Sequence, residues 1–287
     1  MVELDDVEPT DDSVPTLGFP EETLAPGVVL GKRSRIRSLL GRGGMGEVWR
    51  AFDLKLRVDV ALKSLRPELV RQVQALQALR DEVRAAREVV SANVCRVFDL
   101  VELDGQELVS MEYIDGITLL DILKMRAPLE ITEAREIASQ FLAGLEAIHR
   151  ANLVHRDLKP ENIMMTRSGR VVVMDFGIAR SLLRESAQTV SGTPAYMAPE
   201  QALGKTLSPA ADVFSAGVVL AEMIAPDGLR TIEARQKIWR AVRSEPLDLP
   251  KTPWSAVLHQ ALAPRVSKRY SSATGLARAL EEVTLRV

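Results

Sequence analysis

The sequence predicts an α+β chain of two unlike lobes, a small β-rich lobe carrying one long helix followed by a larger, mainly helical lobe. Three observations carry this: short β-like runs from Val28 to about Val109, one helical stretch among them, and mainly helical character after Ile114. The β-like runs are Ser34 to Leu40, Glu47 to Phe52, Asp59 to Ser64, Arg96 to Leu103 and Glu107 to Met111. Between the third and fourth, Leu69 to Val90 sets Val70, Val73, Leu76, Leu79, Val83 and Ala86 at three- or four-residue spacing, the signature of one helix face. In the second lobe, Thr132 to Arg150 reads as a helix with Thr132 as N-cap and Ile137, Phe141, Leu145 and Ile148 along one side. The lobes meet near Met111 to Gly116, which divides the body into 26–113 and 114–287. Residues 1–25, with Pro9, Pro15 and Pro20 and no sustained apolar periodicity, have the composition of a solvated, disordered tail.

Composition narrows the function. At 287 residues, 46% apolar and 26% charged, the chain has material for a sizeable core and is neither a stapled mini-protein nor disordered throughout. The net charge of -2 hides an asymmetry, because eight of the 39 acids and none of the 37 Lys and Arg lie in residues 1–25. The remainder is net positive, which suits anionic ligands such as phosphates, but it lacks the dense basic face of a nucleic-acid binder. Cys95 is the only cysteine, so no internal disulfide forms and no Cys/His zinc cluster exists. An acidic N-terminus unlike a secretory signal and a longest apolar run of only Ala216 to Ala225 predict a cytoplasmic chain without a membrane span.

Three constellations carry chemistry. Gly41, Gly43, Gly44 and Gly46, with Met45 inside the run and Val48 after it, form a G-x-G-x-x-G loop whose backbone N–H groups approach phosphate oxygens closely. Glu47 to Phe52 reads as a strand, so this loop joins two strands and is not the strand-to-helix turn of a dinucleotide site. Next, Val60-Ala61-Leu62-Lys63 places one lysine on a half-buried strand 22 residues after Gly41. Lys63 needs a carboxylate to position it; Glu82, beside the apolar helix face, is preferred to Glu88. Last and most specific is His155-Arg156-Asp157-Leu158-Lys159-Pro160-Glu161-Asn162, followed by Asp175-Phe176-Gly177. Asp157, Asn162 and Asp175 together suit a proton acceptor beside oxygen ligands for a hard cation, with Mg²⁺ (or Mn²⁺) the natural ion.

On these residues the chain resembles the protein kinases, and among them the bacterial serine/threonine kinases of eukaryotic type. Gly192-Thr193 through Ala198-Pro199-Glu200, Asp212 through Gly217, and Arg269 extend the likeness over about residues 28–287. The resemblance implies a two-lobed kinase fold that moves the γ-phosphoryl group of Mg-ATP to Ser or Thr hydroxyls of protein substrates. It implies that the 41–48 loop covers the ATP phosphates, that Lys63 contacts the α- and β-phosphates, and that Glu82 pairs with Lys63 in the active state. Asp175 and Asn162 are implied metal ligands, Asp157 the acceptor of the hydroxyl proton, and Lys159 the support of the transferred group. Leu40 is an implied ATP contact, Val48, Ala61, Met111 and Met164 are implied to enclose the adenine, and backbone groups of Glu112 and Ile114 to bond its edge, where side-chain identity matters little.

Arg156 is expected to bind a phosphate within 175–200. Thr189, Ser191 and Thr193 are the hydroxyls available, Thr189 and Ser191 preferred, with phosphorylation in trans through a transient homodimer. Two departures bear on regulation: Ser91-Ala92-Asn93 replaces the usual His-Pro-Asn, and Ala225 to Leu229 replaces the usual Gly-rich loop. The rival reading is a pseudokinase acting as a nucleotide-responsive binding module; degenerate members usually lose one of the residues that stand here as Lys63, Asp157 or Asp175.

Overall fold

The computed structural model describes residues 24–43, 46–64, 73–176, 194–225 and 251–284. Most of the acidic tail, Gly44 and Met45, Gly177, Thr189, Ser191, Gly192, Thr193 and the 226–229 loop lie outside the described residues. Leu24, assigned by composition to the tail, is 9% exposed and packs with Leu30, Ile36 and Trp49. One apolar residue is swamped in an acidic window, so composition drew the edge of the body too late.

Six antiparallel strands follow the β-like runs: β1 (Val29–Leu30), β2 (Ser34–Gly43), β3 (Gly46–Asp53), β4 (Val58–Ser64), β5 (Val97–Leu103) and β6 (Gln106–Glu112). They form one sheet in the order β1-β2-β3-β4-β6-β5. Side chains alternate across a strand, and both faces are covered. Trp49, Ala51, Val60, Leu62 and Leu108 point into one small core. Ala61, Val109 and Met111 point into another with Leu79, Val83 and Ala86 of α1 (Val73–Arg87). Helix α1 stops before the expected Val90, with Arg84 and Arg87 in its last turn, where cations favour the negative end of the helix dipole. Val89 then turns inward to the core.

After Glu112 the chain passes to β7 (Gly116–Thr118), α2 (Leu119–Arg126) and α3 (Ile131–Arg150). Thr118 caps α2, its Oγ1 accepting the Asp121 N–H at 3.1 Å. Thr132 does not cap α3: the helix begins at Ile131, and Glu130 stands at the cap without a side-chain bond. The Leu129 N–H to Met223 carbonyl bond, 2.7 Å, fixes the entry upstream of Thr132. β7 forms a second antiparallel sheet with β8 (Ile163–Thr166) and β9 (Val171–Val173).

Beyond these come α4 (Pro199–Ala202), α5 (Pro209–Ile224), α6 (Ser255–Ala261) and α7 (Ala273–Thr284). The long apolar run lies in α5, whose residues after Pro209 are all buried, as expected of a helix apolar all round at the centre of a lobe. Among the described residues no helix is long and apolar enough to cross a membrane. The Ser91-Ala92-Asn93 joint is firmly tied: Asn93 donates its side-chain amide to the Val171 carbonyl at 2.8 Å, and its own carbonyl accepts the Val173 N–H at 2.9 Å.

Candidate active site

The two lobes face each other across a cleft whose roof is the β2–β3 hairpin. Its register pairs Gly41 with Val48, Arg42 with Glu47 and Gly43 with Gly46, so the glycine loop joins two strands. Gly46 has φ +145°, a backbone region that side chains avoid. Val48, Ala61, Met111, Ile114 and Met164, the expected adenine neighbours, all join the core cluster shared by both lobes, while Leu40 is exposed at the rim.

Lys63 is paired across β4 with Val48 and Val109 and is only 6% exposed. Its Nζ lies 2.6 Å from Asp175 Oδ1. The carboxylate expected for Lys63 was Glu82; Glu82 is half-buried on α1, and the ion pair that the structure shows for Lys63 is the one with Asp175. A single ammonium takes the carboxylate that the adjoining loop brings closest, and sequence spacing carries no information on which of two distant acids that is. Withdrawal from water pushes the Asp175 carboxyl up, but the charge and hydrogen bond of Lys63 pull it down further, and it settles below the ordinary aspartate range.

On the lower side, the loop after α3 is pinned from within. Asp212 of α5, fully buried, accepts the backbone N–H groups of His155 at 2.7 Å and Arg156 at 2.9 Å. It also meets His149 Nε2 at 2.8 Å. His149, near the end of α3, is thus part of the anchor. Arg156 has a positive φ of +69°, a strain sustained by these bonds, and Asp175 has a φ of +53°. His155 Nε2 is 2.8 Å from the Met174 carbonyl, an acceptor only, so this nitrogen carries the proton. Nδ1 then accepts the Asp157 N–H at 3.3 Å. Burial holds the His155 pKa below its usual value despite the pull of Asp212 and Asp157, in keeping with a neutral ring.

The structure brings Asp157, Lys159 and Asn162 into contact and places them beside the strand that leads to Asp175. Asn162 donates its amide to the Asp157 carbonyl at 2.8 Å and to Asp157 Oδ2 at 3.2 Å. Lys159 Nζ stands 3.4 Å from the same Oδ2. The Asn162 carbonyl accepts the Met174 N–H at 2.8 Å, tying it to the strand that delivers Asp175. Spending its NH₂ on Asp157 fixes the orientation of the Asn162 amide, whose Oδ1 is the donor a hard cation takes. Among the described residues no group of three or more His, Cys, Asp or Glu forms a protein-only metal cage. One carboxylate and one amide oxygen fit Mg²⁺, which keeps waters and substrate phosphates in its shell.

Two features escaped sequence reasoning. The Glu112 side chain is not incidental: it ion-pairs with Arg170 and accepts the Arg96 N–H, joining the inter-lobe connection to the β8–β9 hairpin. Beside Asp157, a crevice is lined by Lys159, Tyr196, Met197 and Gln201. Tyr196 is held by its hydroxyl donating to Glu222 at 2.7 Å, and Gln201 donates to the Arg156 carbonyl at 2.7 Å. Only the nearby Ala198-Pro199-Glu200 run hinted at this wall.

A curled sheet over a helical lobe, with lysine, aspartates and asparagine converging between them, defines the protein kinase class of fold. The chain belongs to the protein kinase domain family, whose model matches residues 34–278. It is 34% identical over 278 residues to the probable serine/threonine-protein kinase PknB of Bifidobacterium longum, covering 88% of this chain and 40% of that protein. It is 37% identical over 238 residues to the serine/threonine-protein kinase PknA of Mycobacterium tuberculosis, covering 78% of this chain and 55% of that one. Among solved structures, the Mycobacterium tuberculosis PknI kinase domain superposes with a TM-score of 0.70 at 26% identity, covering 91% of this chain and 99% of that one. The chain therefore spans about half the length of these curated relatives.

Proposed function

We propose that this chain is a serine/threonine protein kinase that transfers the γ-phosphoryl group of Mg-ATP to hydroxyls of protein substrates. The observation that carries the reading is the convergence of Lys63, Asp175, Asn162, Asp157 and Lys159 in one cleft. Phosphoryl transfer needs positioning and charge neutralisation more than covalent chemistry from the protein. Asp157, oriented by Asn162, takes the proton of the attacking hydroxyl as its oxygen bonds to the γ-phosphorus and the bond to the β-phosphate oxygen breaks. Lys159 balances charge on the moving group, and Lys63 holds the α- and β-phosphates. Asp175 and Asn162 would hold Mg²⁺ (or Mn²⁺), which when bound neutralises phosphate charge. Binding of Mg-ATP frees Lys63 from Asp175 and lets Glu82 take its place as the partner of Lys63.

The apolar pocket of Leu40, Val48, Ala61, Met111 and Met164 takes the adenine, with the backbone of Glu112 and Ile114 at its edge. Serine and threonine specificity is supported by Lys159 two residues after Asp157 and by the names of the relatives. Activation through Thr189 or Ser191, met by Arg156 and carried out in trans in a transient homodimer, and a cytoplasmic setting belong to the same proposal. The test is incubation with Mg²⁺ and labelled ATP, alone and with a generic protein substrate, beside Asp157→Ala. Label on protein with the wild type only supports the reading. Nucleotide binding with no label in either, at any wild-type concentration, points instead to a binding module.

A further inference from the structure

The roof of the cleft is held by a polar clamp that the chemistry above does not use. Glu47, at the end of the glycine loop, accepts Arg42 Nε on Oε1 at 2.8 Å and the Trp49 indole N–H on Oε2 at 3.1 Å. Its backbone is held separately. The Ser64 hydroxyl accepts the Glu47 N–H at 3.2 Å and donates to the Glu47 carbonyl at 3.2 Å. The β3–β4 ladder ends at the Val48–Lys63 pair, and the Ser64 backbone is already committed to β6 opposite Leu108. One hydroxyl thus carries the ladder a residue further towards the loop.

None of these side chains faces the cleft. Val48 packs into the core shared with Ala61 and Met111, whereas Trp49 packs into the core on the opposite face of the sheet. Side chains alternate along a strand, so Glu47 and Trp49 share the outer face, with Arg42 directly across from Glu47. The Arg42–Glu47 pair, 71% and 33% exposed, contributes weakly. The indole is different: Trp49 is buried, and its N–H needs the acceptor that Glu47 provides. Ser64 follows Lys63 directly, so the loop and the phosphate-holding lysine are tied to one point of β4.

We propose that Glu47 and Ser64 are positioning residues that fix the start of β3, where the glycine loop ends, beside Lys63, and through it the grip on the nucleotide phosphates. This rests on the nucleotide reading of the cleft. A loop clamp acts on phosphates and not on the base, which gives it a signature that loss of folding lacks. The test uses the whole chain as wild type, E47A, S64A and S64T, each checked for an intact thermal transition. Displacement of a fluorescent ADP analogue by Mg-ATP and by adenosine is then measured. E47A and S64A are expected to weaken Mg-ATP about five- to tenfold, as for loss of one or two hydrogen bonds. Adenosine should stay within about twofold, and S64T, which keeps the hydroxyl, should restore Mg-ATP binding. Mg-ATP binding unchanged in both variants, or both ligands weakened alike, would overturn the clamp. Wild type from which neither ligand displaces the probe would overturn the nucleotide reading itself.

Discussion

Lys63 Nζ and Asp175 Oδ1 stand 2.6 Å apart although 112 positions separate the residues in the chain. The pair spans the cleft from the sheet of the small lobe to the end of the β8–β9 hairpin, so it is at once an electrostatic contact and an inter-lobe tether. The lysine is nearly buried, while 35% of the aspartate side chain remains in contact with solvent.

Asp175→Asn should therefore destabilise the fold by about 2 kcal/mol, less than the 3–5 of a fully buried pair because Asp175 is partly solvated. Lys63→Met should cost less, since it leaves no ammonium behind in the core. The double variant should lose less than the sum of the singles. Urea denaturation of the four proteins measures the coupling, and strict additivity would show that the pair does not bind the lobes together.

His155 makes stability depend on pH. Its ring is fully buried, and burial holds its folded pKa below the unfolded value of about 6.5, Asp212 and Asp157 notwithstanding. Above that value both states are neutral and this contribution to stability is fully present. As the pH falls from there through the folded value, the unfolded chain takes up a proton that the folded ring refuses, and the contribution is lost. The melting temperature should thus fall as the pH is lowered from 7.5 to 5.5. His155→Phe should melt lower at both, having lost its bonds to Met174 and Asp157, but with a smaller drop between them. An equal drop in the variant would assign the pH dependence to other groups.

Gly144 on α3 offers a test in which helix propensity and packing disagree. Alanine in a helix interior is favoured by about 1 kcal/mol over glycine. Here a Cβ would lie 2.4 Å from the Asn93 carbonyl oxygen and 3.1 Å from Val173 Cγ2. The backbone oxygen cannot rotate away, because it accepts the Val173 N–H two residues before Asp175. Overpacking of this kind costs about 1–3 kcal/mol or more, so Gly144→Ala should lower Tm by several degrees and weaken Mg-ATP binding as well. A variant that melts higher would show that propensity wins.

The strands and the main helices were legible because their periods, 2 and about 3.6, are local. All five β-like runs became strands, four of them within one residue at each end and the first running three residues past Leu40, and the 155–162 loop was readable because its residues are contiguous. What stayed hidden is long-range or geometric. No spacing tells that Lys63 meets Asp175, that Glu112 reaches Arg170, or that His149 belongs to the Asp212 anchor. Thr132 had the right chemistry for a cap, but the Leu129–Met223 bond set where α3 begins. Leu24 was lost in an acidic window although it seals the small core.

Arg269 and Glu200 supply the largest expected effect away from the cleft. The guanidinium makes two short bonds to the carboxylate, 2.6 and 2.8 Å. It gives its three remaining N–H groups to the carbonyls of Ala263, Ala210 and Pro264. All five donors are used in a site that excludes water, and the plane lies over the Phe214 ring at 4.9 Å. Lysine has three donors and no planar fork, so Arg269→Lys should fail almost as badly as Arg269→Ala, at roughly 3–5 kcal/mol each. Glu200→Gln should cost a similar amount by leaving the cation buried, whereas Glu200→Leu with Arg269→Met should cost less than either single change. Glu200 precedes Gln201, whose amide holds the Arg156 carbonyl beside Asp157. Phosphoryl transfer should therefore fall with stability in the single variants, measured at a temperature where each is still folded. If Arg269→Lys kept wild-type stability in urea and full transfer, the five-bond site would be no more than a charge pair.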